Sequence, residues 1–373
     1  MEGSLRQKAE GKVFARRRRA AMRRAAAEKV QAVLISRAED VGYLSGFTGH
    51  DSLLLLGDGW VRLITDGRYG EQAEGQCPDV DVHVRKGGVA DAVADALRGR
   101  RVRRLGVQGD QVTLQFHKAL ASKLPAKRIQ AMVGLLAPLR AVKDDGEVRA
   151  IRKAIRVAER AFRDVLALGG KAWIGATERD LAAELDYRMR RGGAEGPAFE
   201  TIVAAGAHGS RPHHQSGSTR IRRGAPVLID WGAKVAGYCS DLTRVVFLGR
   251  IPPRLADVYD VVRRAQAAGI AAARPGVSCG SVDAAARRVI DEAGYGERFV
   301  HNLGHGLGRQ VHESPGLARK SKRRLRAGMV VTVEPGIYLP GLGGVRIEDD
   351  VLLTPGGTRR LTSLPRDAGA MVL

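Results

Sequence analysis

Val227-Leu228-Ile229-Asp230-Trp231-Gly232 and, a short way downstream, Ser240-Asp241-Leu242-Thr243-Arg244 each set an acid inside an otherwise apolar, strand-like segment. A carboxylate in such a place is costly unless something pairs with it. The two aspartates stand eleven residues apart, with Gly237 as turn material between them. A turn centred on Val235 and Ala236 puts Asp230 directly opposite Asp241, with Cβ atoms about 5 Å apart. The pattern recurs: Val331-Thr332-Val333-Glu334-Pro335 and Gly344-Val345-Arg346-Ile347-Glu348 flank the glycine-rich Gly341-Leu342-Gly343-Gly344. A turn centred on Gly341 brings Glu334 face to face with Glu348. Four like charges on strand interiors cannot coexist unpaired, because even two in one site force one pKa far up. Two divalent cations would neutralise them, and oxygen ligands joined by an imidazole suit manganese, cobalt or zinc.

The imidazole has a source in His301-Asn302-Leu303-Gly304-His305-Gly306-Leu307-Gly308, followed by His312-Glu313-Ser314-Pro315. Three of the nine histidines fall within twelve residues, between the two segments that carry the acids. A second pair, His213-His214, follows Arg211-Pro212 in a loop ahead of Asp230, where an exposed polar loop is the competing reading.

The rest of the chain gives the frame. Its 373 residues are long enough for two domains or one large one, and 44% apolar with 27% charged residues excludes a disordered chain, a collagen or a disulfide-stapled miniprotein. Cys77, Cys239 and Cys279 are too scattered for a disulfide framework, so a reducing compartment is expected. The first thirty residues carry ten basic and three acidic side chains and lack the apolar run of a signal peptide, and no stretch has the length of a membrane span. A cytoplasmic location is expected. The net charge of +22 admits nucleic acid as a partner through non-specific basic charge.

From Val13 to Ala32, arginine and alanine alternate in blocks on a predicted helix, read as a solvated face in preference to a nucleic-acid arm because no aromatics interleave for stacking. Ala32-Val33-Leu34-Ile35 reads as a buried strand. Ser52 to Leu56 and Trp60 to Thr65 read as a hairpin turning at Gly57-Asp58-Gly59. Helix and strand signals alternate through Ala90 to Leu97, Arg104 to Val107 and His117 to Leu124, as in an α/β domain. Lys143-Asp144-Asp145-Gly146 is a polar break, and the domains are placed at 1–143 and 147–373. The second part predicts helices near 147–168, 177–191, 254–273 and 280–293 and strands near 225–231, 238–247, 328–338 and 344–353, an α+β arrangement.

With these residues in place, the chain resembles the metallopeptidases of the pita-bread fold, in the Xaa-Pro branch that holds aminopeptidase P and prolidase (Xaa-Pro dipeptidase). The likeness spans nearly the whole chain, including a creatinase-like N-terminal domain with Tyr43-Leu44-Ser45-Gly46-Phe47-Thr48-Gly49. It implies an α+β fold with a C-terminal pita-bread catalytic domain behind a smaller α/β domain, and two divalent ions per chain, manganese foremost. The family's ligand pattern falls on Asp230, Asp241, His305, Glu334 and Glu348, with Asp241 and Glu348 bridging both ions. Its active-site histidines match His213 and His312, and its further positions match His301, Arg346 and Tyr338. His214, Asp349 and Asp350 are left as bystanders.

The resemblance implies hydrolysis of the bond between an N-terminal residue and a following proline by a metal-bridging hydroxide. Glu334 then serves as general base and acid, His213 and His312 as donors to oxyanion and substrate, and Arg346 as the group that orients the ligating carboxylates. Small peptides with proline second are the implied partners, and a homodimer the implied assembly. Two other classes compete. A metal-free creatinase-type C–N hydrolase would have replaced several ligands, whereas all five residue types are intact here. A basic nucleic-acid-binding pseudoenzyme would survive mutation of Asp241 but not of Arg16 to Arg19.

Overall fold

The computed structural model describes residues 2–125 and 128–373, and of residues 2–10 the helical backbone alone. The chain divides into two compact units, Met1–Leu139 and Arg140–Leu373. The division falls just ahead of the polar break because residues 140–143 are tied into the second unit. Val142 bridges Met329, the Lys143 amide donates to the Gly328 carbonyl at 2.8 Å, and Arg140 and Lys143 both pair with Glu313. Asp144 then caps the helix Asp145–Leu166 in a capping box with Glu147.

In the first unit a six-stranded mixed sheet runs in the order Asp81–Val84, Trp60–Thr65, Leu53–Gly57, Ala32–Ile35, Leu105–Gln108, Ile129–Met132. The predicted hairpin is present, with Gly57 paired to Trp60 across the turn. Strand alternation sorts the side chains into two cores: Val33 and Ile35 pack on one face with Ala21 and Ala25 of the helix Glu2–Ala27, while Ala32 and Leu34 pack on the other with Val93, Leu105 and Leu120. That first helix departs from a purely solvated arginine face. Arg17 is buried over the Tyr43 ring at 4.1 Å and donates to the Tyr43 carbonyl, Arg18 pairs with Asp79 at 2.6 Å, and Arg24 donates to the Leu135 carbonyl. Part of the arginine run therefore docks the helix onto the helix Ala38–Ser45 and the neighbouring loops of its own unit.

The second unit places the helices Asp145–Leu166, Glu178–Arg191, Pro253–Ala272 and Cys279–Glu292 around several short sheets. Its two main sheets, with a two-stranded one of Gly336–Leu339 and Gly343–Arg346, hold the strands that matter for the site. One has the order Leu242–Phe247, Pro226–Trp231, Ile202–Ala205; the other has the order Glu313–Leu317, Gly304–Gly306, Val330–Val333, Asp349–Thr354, Gly357–Arg360. Alternation again decides which way each residue points. Val227, Ile229 and Trp231 join the core built on the first two helices, where Trp231 stacks on Phe162 with ring centroids 4.3 Å apart. Leu228 on the same strand, with Val245, faces the other core beside Val331 and Val333. Asp230 has the parity of Leu228, so it too is directed toward the strands that carry the glutamates.

The register of the first acidic pair differs from the expected one. Asp230 lies opposite Thr243, and Val235 opposite Tyr238, so the turn is made by Ala236 and Gly237. Both have positive φ, 50° and 72°, as a two-residue type I′ turn requires. Asp241 is therefore diagonal to Asp230 on the same face, not directly across from it. The second ribbon has the expected register: Gly336 pairs with Arg346 and Val333 with Asp349, which sets Glu334 against Glu348 between two paired stretches.

Candidate metal centre

Two glycines let backbone segments close on the site. Gly232 lets the Asp230 strand pass the Asp241 segment, since a Cβ there would lie 1.9 Å from the Ser240 carbonyl oxygen. Gly304 does the same for His305, because a Cβ would fall 2.2 Å from the Thr332 carbonyl oxygen. The His305 amide donates to Thr332 Oγ1 at 3.1 Å, and its Nδ1 lies 3.2 Å from the Gly306 carbonyl. That contact directs the other ring nitrogen at the acids: Nε2 is 3.2 Å from Glu334 Oε1 and 3.6 Å from Asp241 Oδ2.

Asp241, His305 and Glu348 offer ligand atoms that all lie within 4.8 Å of one another. Asp230 joins through Arg346, whose Nη2 donates to Asp230 Oδ2 at 2.6 Å. The same guanidinium donates from Nε to Thr243 Oγ1 at 3.0 Å and from Nη1 to the Tyr338 hydroxyl at 2.8 Å. Thr243 in turn donates to Glu348 Oε2 at 2.7 Å, and His301 Nε2 lies 2.8 Å from the Tyr338 hydroxyl. One buried arginine thus ties the two ribbons and the histidine segment together.

The electrostatics are those of a cage built for positive charge. Burial pushes the Asp241 carboxyl well above the usual range, and the neighbouring Glu348, Asp230, Glu334 and Asp350 push it further. Glu348 is raised well above its ordinary value by burial and by Glu334 and Asp230. Asp230 is raised by burial in spite of Arg346. Glu334 is the exception: burial would raise it, but the hydrogen bond and charge of His305 hold it at about 2. Burial lowers His305, yet Glu334 outweighs that and its pKa rises. Asp230 Oδ1 and Glu348 Oε1 are buried with no hydrogen-bond partner among the described residues. Orphaned oxygens beside raised carboxyls are what a divalent pair would satisfy, so the residues present fit such a group.

The remaining sequence candidates lie around this cage. The His312 ring meets His305 edge-to-face at 4.4 Å. Burial and the His305 charge lower the His312 pKa. His213 is exposed on its loop, one residue after Pro212, whose carbonyl accepts from Arg346 Nη1 at 3.4 Å. Asp350 Oδ2 accepts from the Asp241 amide at 3.2 Å, while its Oδ1 is buried with no hydrogen-bond partner among the described residues. Asp349 is held instead by Arg244, Gln266 and Thr362. Sequence reasoning passed over Thr243 and Thr332, which donate to Glu348 and Glu334; each stands two residues along a strand from a candidate ligand, the spacing that shares a face. It also passed over Glu178 and His208, which with His214 form a second compact group whose ligand atoms lie within 4.8 Å of one another.

Fold and site together define a hydrolase-type metal centre on paired β-ribbons, in a unit that follows a separate α/β unit along the chain. The family model of metallopeptidase family M24 matches residues 149–355, and that of the creatinase/prolidase N-terminal domain matches residues 17–142. The Xaa-Pro dipeptidase of Pyrococcus horikoshii is 36% identical over 340 residues, 91% of this chain and 94% of that protein. Among solved structures, an Xaa-Pro dipeptidase from Bacillus anthracis superposes with a TM-score of 0.92 at 34% identity, covering 96% of this chain and all of the other. An X-Pro aminopeptidase from Thermotoga maritima gives 0.87 at 36% identity, covering 93% of this chain and 97% of its own. The chain belongs to metallopeptidase family M24.

Proposed function

We propose that this protein hydrolyses the peptide bond between an N-terminal residue and a following proline, with two divalent ions held by Asp230, Asp241, His305, Glu334 and Glu348. When bound, such a pair neutralises the cage, polarises the scissile carbonyl and acidifies water. The observation that carries the reading is the buried cluster of raised carboxyls with orphaned oxygens at Asp230 and Glu348.

The chain's own groups divide the work. Glu334 acts as a carboxylate, the state that accepts a proton, and its Oε1 accepts from the Thr332 hydroxyl. It takes a proton from the attacking water and returns it to the departing imino nitrogen. His312 donates one N–H to the substrate carbonyl, and His213 donates from the facing loop. A donor aimed at the developing oxyanion contributes about 2.7–4 kcal/mol. Arg346 holds Asp230 directly and Glu348 through Thr243, so that the acids keep their spacing. Tyr338 and His301 support Arg346 from behind.

Manganese is the proposed ion, with cobalt or zinc as alternatives, because the donor set is four carboxylates and one imidazole. A homodimer is proposed from the likeness to the family. A cytoplasmic location is in keeping with three cysteines that are all free and buried. No helix among the described residues is long and apolar enough to cross a membrane. The test is hydrolysis of Ala-Pro, Gly-Pro and a tripeptide with proline second. Activity is expected with manganese, lost with chelator, and lost in Glu334→Ala. Activity that survives both chelation and Glu334→Ala would support the creatinase-type alternative instead.

A further inference from the structure

We infer that Glu178 is a positioning residue that fixes the loop carrying His213, by gripping that loop at His208 and His214. The inference rests on the reading above, in which His213 donates to the substrate.

Glu178 opens the helix Glu178–Arg191 and is fully buried. Its Oε1 accepts from the Ala205 amide and from His208 Nδ1, both at 2.8 Å. Its Oε2 accepts from His214 Nε2 at 2.9 Å and from the Gly217 amide at 3.1 Å. All four donors belong to the segment from Ala205 to Gly217, so one carboxylate ties both ends of the loop and two points inside it. Its roughly four acceptor sites are filled. The trio therefore needs no cation, although its ligand atoms are close enough to hold one. Placement in the first turn of a helix suits the negative charge.

The geometry of the pair His213-His214 turns this grip into an aim. His214 is buried against Glu178, and its ring lies 4.4 Å from that of His208 at 38°. His213, the preceding residue, is exposed. Holding the His214 ring thus sets the direction in which His213 leaves the backbone. Further ties keep the loop in place: Ser216 Oγ accepts from the Val203 amide at 2.8 Å and donates to the Thr201 carbonyl at 2.9 Å, and Arg346 donates to the Pro212 carbonyl. The second histidine of the pair, a bystander by sequence alone, becomes the lever for the first.

The test is a double-mutant cycle on kcat for an Xaa-Pro dipeptide with the manganese-loaded protein. Glu178→Gln puts an amide where two backbone amides must be accepted, and His214→Phe keeps the ring but removes the donor while leaving the Glu178 charge, which serves if the first variant fails to fold. Each is expected to lower kcat about 10–100-fold with the metal content of the wild type. His213→Ala is expected to lower kcat by up to about a hundredfold or more. In either background it should cost little more, because the donor is already misaimed. Three results would overturn the inference: effects of His213→Ala and the loop variants that multiply, His214→Phe that leaves kcat unaltered, or Glu178→Gln that loses a bound ion, which would make the trio a metal site. A neutral His213→Ala would instead remove the donor role assigned to His213, and the inference with it.

Discussion

Thr243 shows how much of this site depends on residues that bear no charge. Its hydroxyl accepts from Arg346 Nε and donates to Glu348 Oε2, so it is the joint between the arginine and a ligand carboxylate. Thr243→Val keeps the shape and removes the joint, leaving a buried N–H unpaired at a cost of about 1–3 kcal/mol. Manganese affinity, read by competition with a chelator, is expected to fall about 10–100-fold; an unchanged affinity would show that Glu348 is oriented without it. At this scale the four candidate acids stand out in the sequence because charge inside an apolar strand needs a reason, and His305 stands out by the clustering of histidines between them. Glu178 was not, because an acid in the first turn of a helix is ordinary. Its importance lies in four donors that come from a segment a long way off along the chain.

At the scale of elements, the two ribbons present their acids by different means. The Glu334 ribbon keeps one register through two paired stretches, and its glycine-rich turn announced that register in the sequence. The Asp230 ribbon was misread because Ala236 gives no sign of adopting positive φ, so the turn was centred too early and Asp241 was placed directly opposite Asp230. The pleat rescued the functional reading, since a register error of two residues keeps every side chain on its face. Ala236 at φ 50° is the strained partner in a turn that favours Asn-Gly. Ala236→Asn is expected to stabilise the protein by about 1 kcal/mol, a rise of about 2–4 °C in Tm by calorimetry. No rise, or a fall, would mean that the surrounding strands impose the turn at no local cost. The four long helices of the second unit were legible to within two residues because their apolar residues recur at helical spacing, whereas the first helix, expected from Val13, starts at Glu2 and ends at Ala27. The docking of Arg17, Arg18 and Arg24 was not, because a run of arginines has the same sequence pattern whether solvated or packed.

At the scale of the whole molecule, the cage makes stability depend on pH and metal together. Asp241, Glu348 and Asp350 have folded pKa values well above their ordinary ones, chiefly through burial. Their contribution to stability is present at low pH and is lost as pH rises through the folded values. Bound cations remove that loss by taking the place of the protons. The Tm gap between metal-loaded and metal-free protein is therefore expected to widen from about pH 5 to about pH 8, and a gap that narrows would contradict this assignment of charge. Glu313 has the opposite sign: burial would raise it, but Lys143 and Arg140 hold it low, so its contribution is lost as pH falls through its folded value. Underlying all of this is the cage itself, and elemental analysis after manganese loading and desalting addresses it most directly. Two ions per chain are expected in the wild type and at most one in Asp241→Asn. A wild type that retains fewer than one ion, or a variant with Asp230, Asp241 and Glu348 all neutralised that still retains two, would contradict the account.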